Sequence, residues 1–169
     1  QVRNALHLVK WKTPKETCQK IYDFLYRYVK YNEERGELLR TPARLWHDGQ
    51  IMHRQYPNNK DFSVDCDCYS ITVACFLQEL GLPWQIRIAS YSSKNLGSED
   101  FGHVYTIMPT GNNKHITIDT VAHLFNYEVP YQKHKTFDKN TQLSGMRDVM
   151  VLEGIGRNYQ RKLGAITNQ

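Results

Sequence analysis

The sequence predicts an α+β domain in which one buried helix packs on an antiparallel sheet. Helical periodicity dominates the first third of the chain, whereas strand-like alternation begins near residue 84. Between these regions, residues 69–80 are apolar on nearly every face, which is typical of a helix enclosed by a domain. Helices followed by hairpin-connected strands are the element order of an α+β protein.

The composition agrees with one globular domain. The chain has 169 residues, of which 40% are hydrophobic and 23% are charged. No apolar run reaches the roughly 18 residues that span a bilayer, so we expect no membrane association. The net charge of +5 is spread along the chain, and its only dense basic stretch is Arg157–Lys162. Nucleic-acid binding is therefore not expected.

Two helices are predicted before the buried one. Thr13 and Glu16 form a capping-box pattern, and apolar spacing then predicts a helix over Pro14–Asn32. Thr41 is followed by a proline, which starts a shorter helix that Gly49 is expected to close.

The buried helix begins near Cys66, with acidic residues on either side, and ends at Gly81 and Pro83. Its N-terminus offers unpaired N–H groups and the positive end of the helix dipole, which stabilise a thiolate. The same N–H groups can hold an oxyanion formed on an attacked carbonyl. All four cysteines are expected to be reduced, since they are too few and too clustered for a disulfide scaffold.

Strands are predicted over residues 84–91, 103–108 and 115–119, and the last two form a hairpin. Residues 121–131 are predicted to be irregular or a further strand, and the tail from about residue 133 has no assigned structure. We therefore divide the chain into a core, residues 1–132, and a C-terminal extension, residues 133–169. The extension is either part of the same domain or a flexible tail.

The hairpin supplies a base and an acid for the thiol. With Gly111 at the centre of the loop, antiparallel pairing places His103 opposite Asp119. A carboxylate beside an imidazole fixes its tautomer and favours the imidazolium. A thiol, a base and an orienting acceptor are the three parts of nucleophilic catalysis by cysteine.

Four short motifs carry a family resemblance. They are Asp65-Cys66-Asp67, Gly81-Leu82-Pro83, Gly102-His103-Val104-Tyr105 and Ile116-Thr117-Ile118-Asp119-Thr120. In this order the chain resembles the transglutaminase-like core of the papain-like cysteine-enzyme superfamily. The pattern is closest to small phage-associated members.

The resemblance implies Cys66 as the nucleophile, His103 as the general base and acid, and Asp119 as the orienting carboxylate. It also suggests oxyanion donors upstream of the nucleophile, for which Trp46, Gln50 and Gln55 are the candidates.

No metal or other cofactor is expected. Cys66 and Cys68 could join a histidine at a zinc ion, but structural zinc sites more often contain Cys-x2-Cys pairs. No acidic cluster has the pattern of a calcium loop.

The sequence thus predicts a cysteine-dependent acyl-transfer enzyme that forms a thioester with a protein or peptide substrate. Hydrolysis would make it a peptidase, an isopeptidase or a deamidase, and capture by an amine would make it a transglutaminase. The alternative is a non-catalytic structural or interaction protein on the same scaffold, for example a phage virion component that binds phage structural proteins. The expected location is the cytoplasm or a virion.

Overall fold

A computed structural model of the chain describes residues 2–31, 40–55, 63–93 and 100–141. The helices are α1 (Val2–Val9), α2 (Pro14–Tyr28), α3 (Pro42–Gln55) and α4 (Cys66–Glu79). The strands are β1 (Lys30–Tyr31), β2 (Ser63–Val64), β3 (Gln85–Ser90), β4 (His103–Gly111), β5 (Lys114–Ile118) and β6 (Lys133–Phe137). No helix in these ranges is long and apolar enough to cross a membrane.

The main sheet is antiparallel, with four strands in the order β5-β4-β3-β6. This arrangement, with α4 against β4, confirms the predicted α+β class. Residues 133–137, which had no assigned structure, form the edge strand β6 beside β3. Residues 121–131 form no strand.

Helix α4 is fixed to β4 by hydrogen bonds as well as by apolar packing. The Ser70 hydroxyl donates to the Val104 carbonyl at 3.0 Å, and the Thr106 hydroxyl donates to the Ser70 carbonyl at 2.8 Å. Further along the helix, Val73 and Leu77 are completely buried. The first turns of α4 are therefore held at a fixed distance from the beginning of β4, where His103 lies.

The helices before α4 follow the predictions at their starts and depart from them at their ends. The Thr13–Glu16 capping box is present, but α2 ends at Tyr28, four residues before the predicted end. It ends there because residues 30–31 pair in parallel with residues 63–64 as β1 and β2.

Helix α3 also departs from its prediction, because it continues through Gly49 to Gln55. A glycine inside a helix costs about 1 kcal/mol relative to alanine, which is too little to end a helix by itself. Helix α1 had no predicted counterpart.

The hairpin prediction was wrong in its register. Asn112 and Asn113 both have positive φ, 51° and 58°, which is typical of a two-residue type I′ turn. The turn is therefore centred on these asparagines and not on Gly111. Thr106 pairs with Ile118. The next pair in the same register would be Tyr105 with Asp119, so Asp119 lies opposite Tyr105 and two positions from His103.

A segment from residue 120 to residue 132, here the crossing segment, joins β5 at one edge of the sheet to β6 at the other. Asn126 pairs with Thr117 through two hydrogen bonds, of 3.0 and 3.2 Å. The Gln132 N–H donates to the Ser90 carbonyl at 2.9 Å. Thr106 points toward α4, and alternate residues of a strand point to opposite faces, so Tyr105 points away from α4. The hydroxyl of Tyr105 donates to Glu128, which therefore lies on the face opposite α4. Tyr131 lies on the same face as Glu128, whereas Val121 and Phe125, earlier in the crossing segment, pack with α2 and α4.

Candidate active site

Cys66 is the first residue of α4, after an extended N-cap at Asp65. Its carbonyl accepts the Ser70 hydroxyl at 2.6 Å, which fixes the first turn. The side chain is half-buried and packs against an apolar cluster whose buried members are Ala74, Ile86, Ile88 and Val104. A cysteine at this place has the free N–H groups of the helix N-terminus beside it.

His103 and Asp119 form a close pair. The imidazole Nε2 lies 2.8 Å from Asp119 Oδ2, and the two side chains are only 11% and 6% exposed. The other carboxylate oxygen, Oδ1, accepts the Val121 N–H at 3.1 Å. Asp119 lies just beyond β5, so it reaches His103 diagonally and not from the directly opposite position that the sequence predicted.

The Cys66 side chain lies close enough to the His103 imidazole to affect its ionisation. Burial by itself would lower the pKa of His103. The hydrogen bonds and the negative charges of Asp119 and Cys66 outweigh that effect and raise the pKa of His103 to about 9. The structure therefore brings together the three side chains that the sequence singled out.

Two tyrosines flank the His103 ring. Tyr105 stacks on it with a centroid separation of 5.5 Å and an interplanar angle of 29°, and the Tyr91 ring is tilted at a centroid distance of 6.1 Å. Burial, together with the charges of Asp119, Glu128 and Cys66, raises the pKa of Tyr91 well above its ordinary value. In the sequence, Tyr105 stood out only as part of the His103 motif and Tyr91 did not stand out, although strand alternation already places residues 103 and 105 on the same face.

Behind Tyr105 lies a second charged group, here the Glu128 cluster, formed by Arg87, Tyr105, His115 and Glu128. Glu128 Oε1 accepts Arg87 Nη1 at 2.6 Å and the Tyr105 hydroxyl at 2.8 Å. Its Oε2 lies 3.2 Å from His115 Nε2. Burial opposes ionisation, but the bonds from Tyr105 and Arg87 prevail and lower the pKa of Glu128. Of its four members, only Tyr105 belongs to a motif quoted from the sequence.

A buried carboxyl pair flanks Cys66. Asp67 is 3% exposed, and burial together with a hydrogen bond and charge from Asp65 raises the pKa of Asp67 to about 8. The Asp67 carboxylate accepts the Cys68 N–H, whereas Asp65 Oδ1 is buried without a hydrogen-bond partner among the described residues. The ligand atoms of Asp65, Asp67 and Cys68 all lie within 4.8 Å of one another. In the sequence these two acids stood out only as the residues that flank Cys66 in a family motif.

The other three cysteines differ from Cys66 in their surroundings. Burial raises the pKa of Cys18 to about 12, and it also raises the pKa of Cys68 and of Cys75. Their thiols are therefore held in the protonated, unreactive form.

The oxyanion candidates lie on α3. The Trp46 ring stacks on Phe24 at 5.7 Å, and Phe24 packs edge-on against Phe76. Phe76 lies ten residues after the start of α4, roughly 15 Å along the helix axis from Cys66. The side chains of Gln50 and Gln55 fall outside the described residues. The oxyanion role of these three residues stays a prediction.

No family model and no curated protein matches this sequence. Among solved structures, the chain is similar to calcium-bound LapG of Legionella pneumophila, with a TM-score of 0.53 and 14% sequence identity. The alignment covers 86% of this chain and 80% of LapG. A likeness at this level of identity concerns the architecture, and the chain therefore has a transglutaminase-like, papain-like fold.

Proposed function

We propose that the protein is a cysteine-dependent acyl-transfer enzyme in which Cys66, His103 and Asp119 act together. One observation carries this proposal: the His103 imidazole lies 2.8 Å from the Asp119 carboxylate and close to Cys66 at the N-terminus of α4. This is the geometry in which a thiol, a base and an orienting acceptor cooperate.

The first half of the reaction forms a thioester. His103 takes the thiol proton of Cys66, and the sulfur attacks the carbonyl carbon of the substrate amide. The N–H groups at the start of α4 stabilise the negative charge that develops on the carbonyl oxygen. The imidazolium then gives its proton to the amide nitrogen, the C–N bond breaks, and the amine leaves.

The second half restores the enzyme. His103 takes a proton from water, and the resulting hydroxide attacks the thioester. The C–S bond breaks, a carboxylic acid leaves, and the sulfur recovers its proton from the imidazolium. Asp119 holds the imidazole and stabilises its charged form throughout. Hydrolysis of a peptide or isopeptide bond is the activity we place first, because the neighbour LapG has a cysteine protease-like fold.

The proposal is tested by the reactivity of the four thiols. Iodoacetamide is added near pH 7, and alkylation of each cysteine is followed by peptide mass spectrometry. We expect Cys66 to react at least ten times faster than Cys75, which is also partly buried but has a raised pKa. Equal rates would overturn the proposal and favour a non-catalytic protein. A labelled primary amine, added with substrate peptides, separates transamidation from hydrolysis.

The LapG structure is calcium-bound, and the Asp65–Asp67 pair is where this chain would hold such an ion. Two carboxylates supply the hard oxygen ligands that calcium takes, and Asp65 Oδ1 has no other partner among the described residues. The Cys68 thiol does not fit calcium, because it is a soft ligand. A bound cation would neutralise the buried pair and strengthen the start of α4.

A further inference from the structure

The position of the His103 ring depends on more than Asp119. A hydrogen bond at Nε2 fixes one atom of the imidazole, but it leaves the ring plane free to tilt about that bond. The residue opposite His103 in the neighbouring strand is Ala89, whose side chain is only a methyl group. The plane is set by the stacked ring of Tyr105, at 5.5 Å and 29°.

Tyr105 is itself held rigidly. Its side chain is among the largest in the core, and the residue is only 2% exposed. Its hydroxyl donates to Glu128 Oε1, which also accepts a 2.6 Å bond from Arg87. The Arg87 Nε lies 3.2 Å from the Thr136 hydroxyl, so the support extends from the crossing segment to β6.

We propose that Tyr105 is a positioning residue for His103, and that Glu128 keeps the Tyr105 ring in place by accepting its hydroxyl. This inference rests on the proposed function, because positioning matters for catalysis only if His103 carries the proton. It adds a residue that does not touch the substrate but determines which way the second imidazole nitrogen points. Misplacement of a catalytic group by about 1 Å can cost up to about a hundredfold in rate.

Three variants separate the contributions of the Tyr105 ring, the Tyr105 hydroxyl and the Glu128 charge. Tyr105→Leu removes the ring, Tyr105→Phe removes only the hydroxyl, and Glu128→Gln keeps the shape but removes the charge. We expect kcat to fall about tenfold in Tyr105→Leu, with KM unchanged, and by less in the other two. Ile107→Ala is the matched control, because Ile107 is buried on the same face of β4 but lies four residues from His103.

The decisive measurement does not depend on an enzymatic assay. Histidine-labelled protein is titrated by NMR, with His103 assigned through a His103→Gln variant. The other groups beside the ring are Cys66, Asp119 and Tyr91, and none of the variants changes them. We expect a lower imidazole pKa in Tyr105→Leu than in Ile107→Ala, because the aromatic face no longer stabilises the cation.

Unchanged titration and an unchanged rate of Cys66 alkylation in Tyr105→Leu, at a melting temperature matched to Ile107→Ala, would overturn the inference. The two proposals fail separately. If Cys66 in the unmodified protein is no more reactive than the other thiols, the proposed function fails, and the histidine titration still decides whether the Tyr105 ring stabilises the His103 imidazole.

Discussion

Two clusters in this molecule are built from the same residue types and differ in the group that completes them. In the candidate site, a carboxylate binds a histidine, and the histidine lies close to the half-buried thiol of Cys66. In the Glu128 cluster, a carboxylate binds a histidine and a tyrosine, and Arg87 completes the set. Arginine cannot lose its proton, so the second cluster is internally neutralised, whereas the first retains a proton that can move.

The largest expected effect separates the two clusters by activity. Cys66→Ala should abolish turnover, and Asp119→Asn should reduce kcat by roughly a thousandfold or more, because the imidazole loses its orienting charge. Peptide hydrolysis measures both effects, and circular dichroism checks that the fold is retained. His115→Gln changes the histidine of the other cluster and should retain most of the activity. A comparable loss in His115→Gln would erase the distinction.

The next effect concerns stability. Arg87→Met leaves Glu128 partly buried without its cation, and we expect a loss of about 3 kcal/mol in the free energy of unfolding. The double variant Arg87→Met/Glu128→Gln should recover part of this loss, because no charge is then left unpaired. Urea denaturation of the two variants and the parent measures the difference. If the single variant is as stable as the parent, Arg87 does not hold the cluster together.

The two clusters should also respond oppositely to pH. The pKa of His103 is raised from 6.5 to about 9, so its stabilisation is complete below pH 6.5 and is lost as the pH rises through 9. The pKa of Glu128 is lowered, so its contribution is present above its unfolded value and is lost on acidification.

Comparing the parent with His103→Gln between pH 6 and pH 10 isolates the first contribution, which amounts to at most about 3 kcal/mol. Glu128→Gln between pH 7 and pH 3 isolates the second. The predicted opposite response is wrong if the stability of the parent relative to His103→Gln increases as the pH rises.

The smallest effect concerns the carboxyl pair beside Cys66, which has no cationic side chain among its described partners. The pKa of Asp67 is raised to about 8, so the protein should lose stability as the pH rises toward and through 8. Asp67→Asn should therefore be about 1 kcal/mol more stable than the parent at pH 9, with the advantage vanishing near pH 4. Thermal melts at several pH values measure this.

Calcium should produce a similar stabilisation in the parent at pH 8, reversed by a chelator, and should have little effect on Asp67→Asn. Zinc and magnesium serve as controls. A calcium-induced shift of equal size in both proteins would place the ion elsewhere.

Much of the scaffold was predictable from local sequence because the signals are local. The capping box at Thr13 and Glu16 fixes the start of α2, and the apolar run after Cys66 produces α4. The end of α2 was not predictable, because it depends on pairing between β1 and β2, and Gly49 does not end α3. The Asn112–Asn113 pair is a sequence that favours a two-residue turn, but the prediction centred the turn on Gly111.

Sequence alone determined which side chains have the chemistry: a cysteine at a helix N-terminus, a histidine at the start of one strand and an aspartate at the end of the next. Tertiary structure alone decided how they meet, because the register shifted by two residues and Asp119 reaches His103 diagonally. The tertiary structure also decided which residues hold Tyr105 beside His103. Glu128 lies 23 residues from Tyr105, in a segment without periodicity, and only the folded sheet brings their oxygens within 2.8 Å.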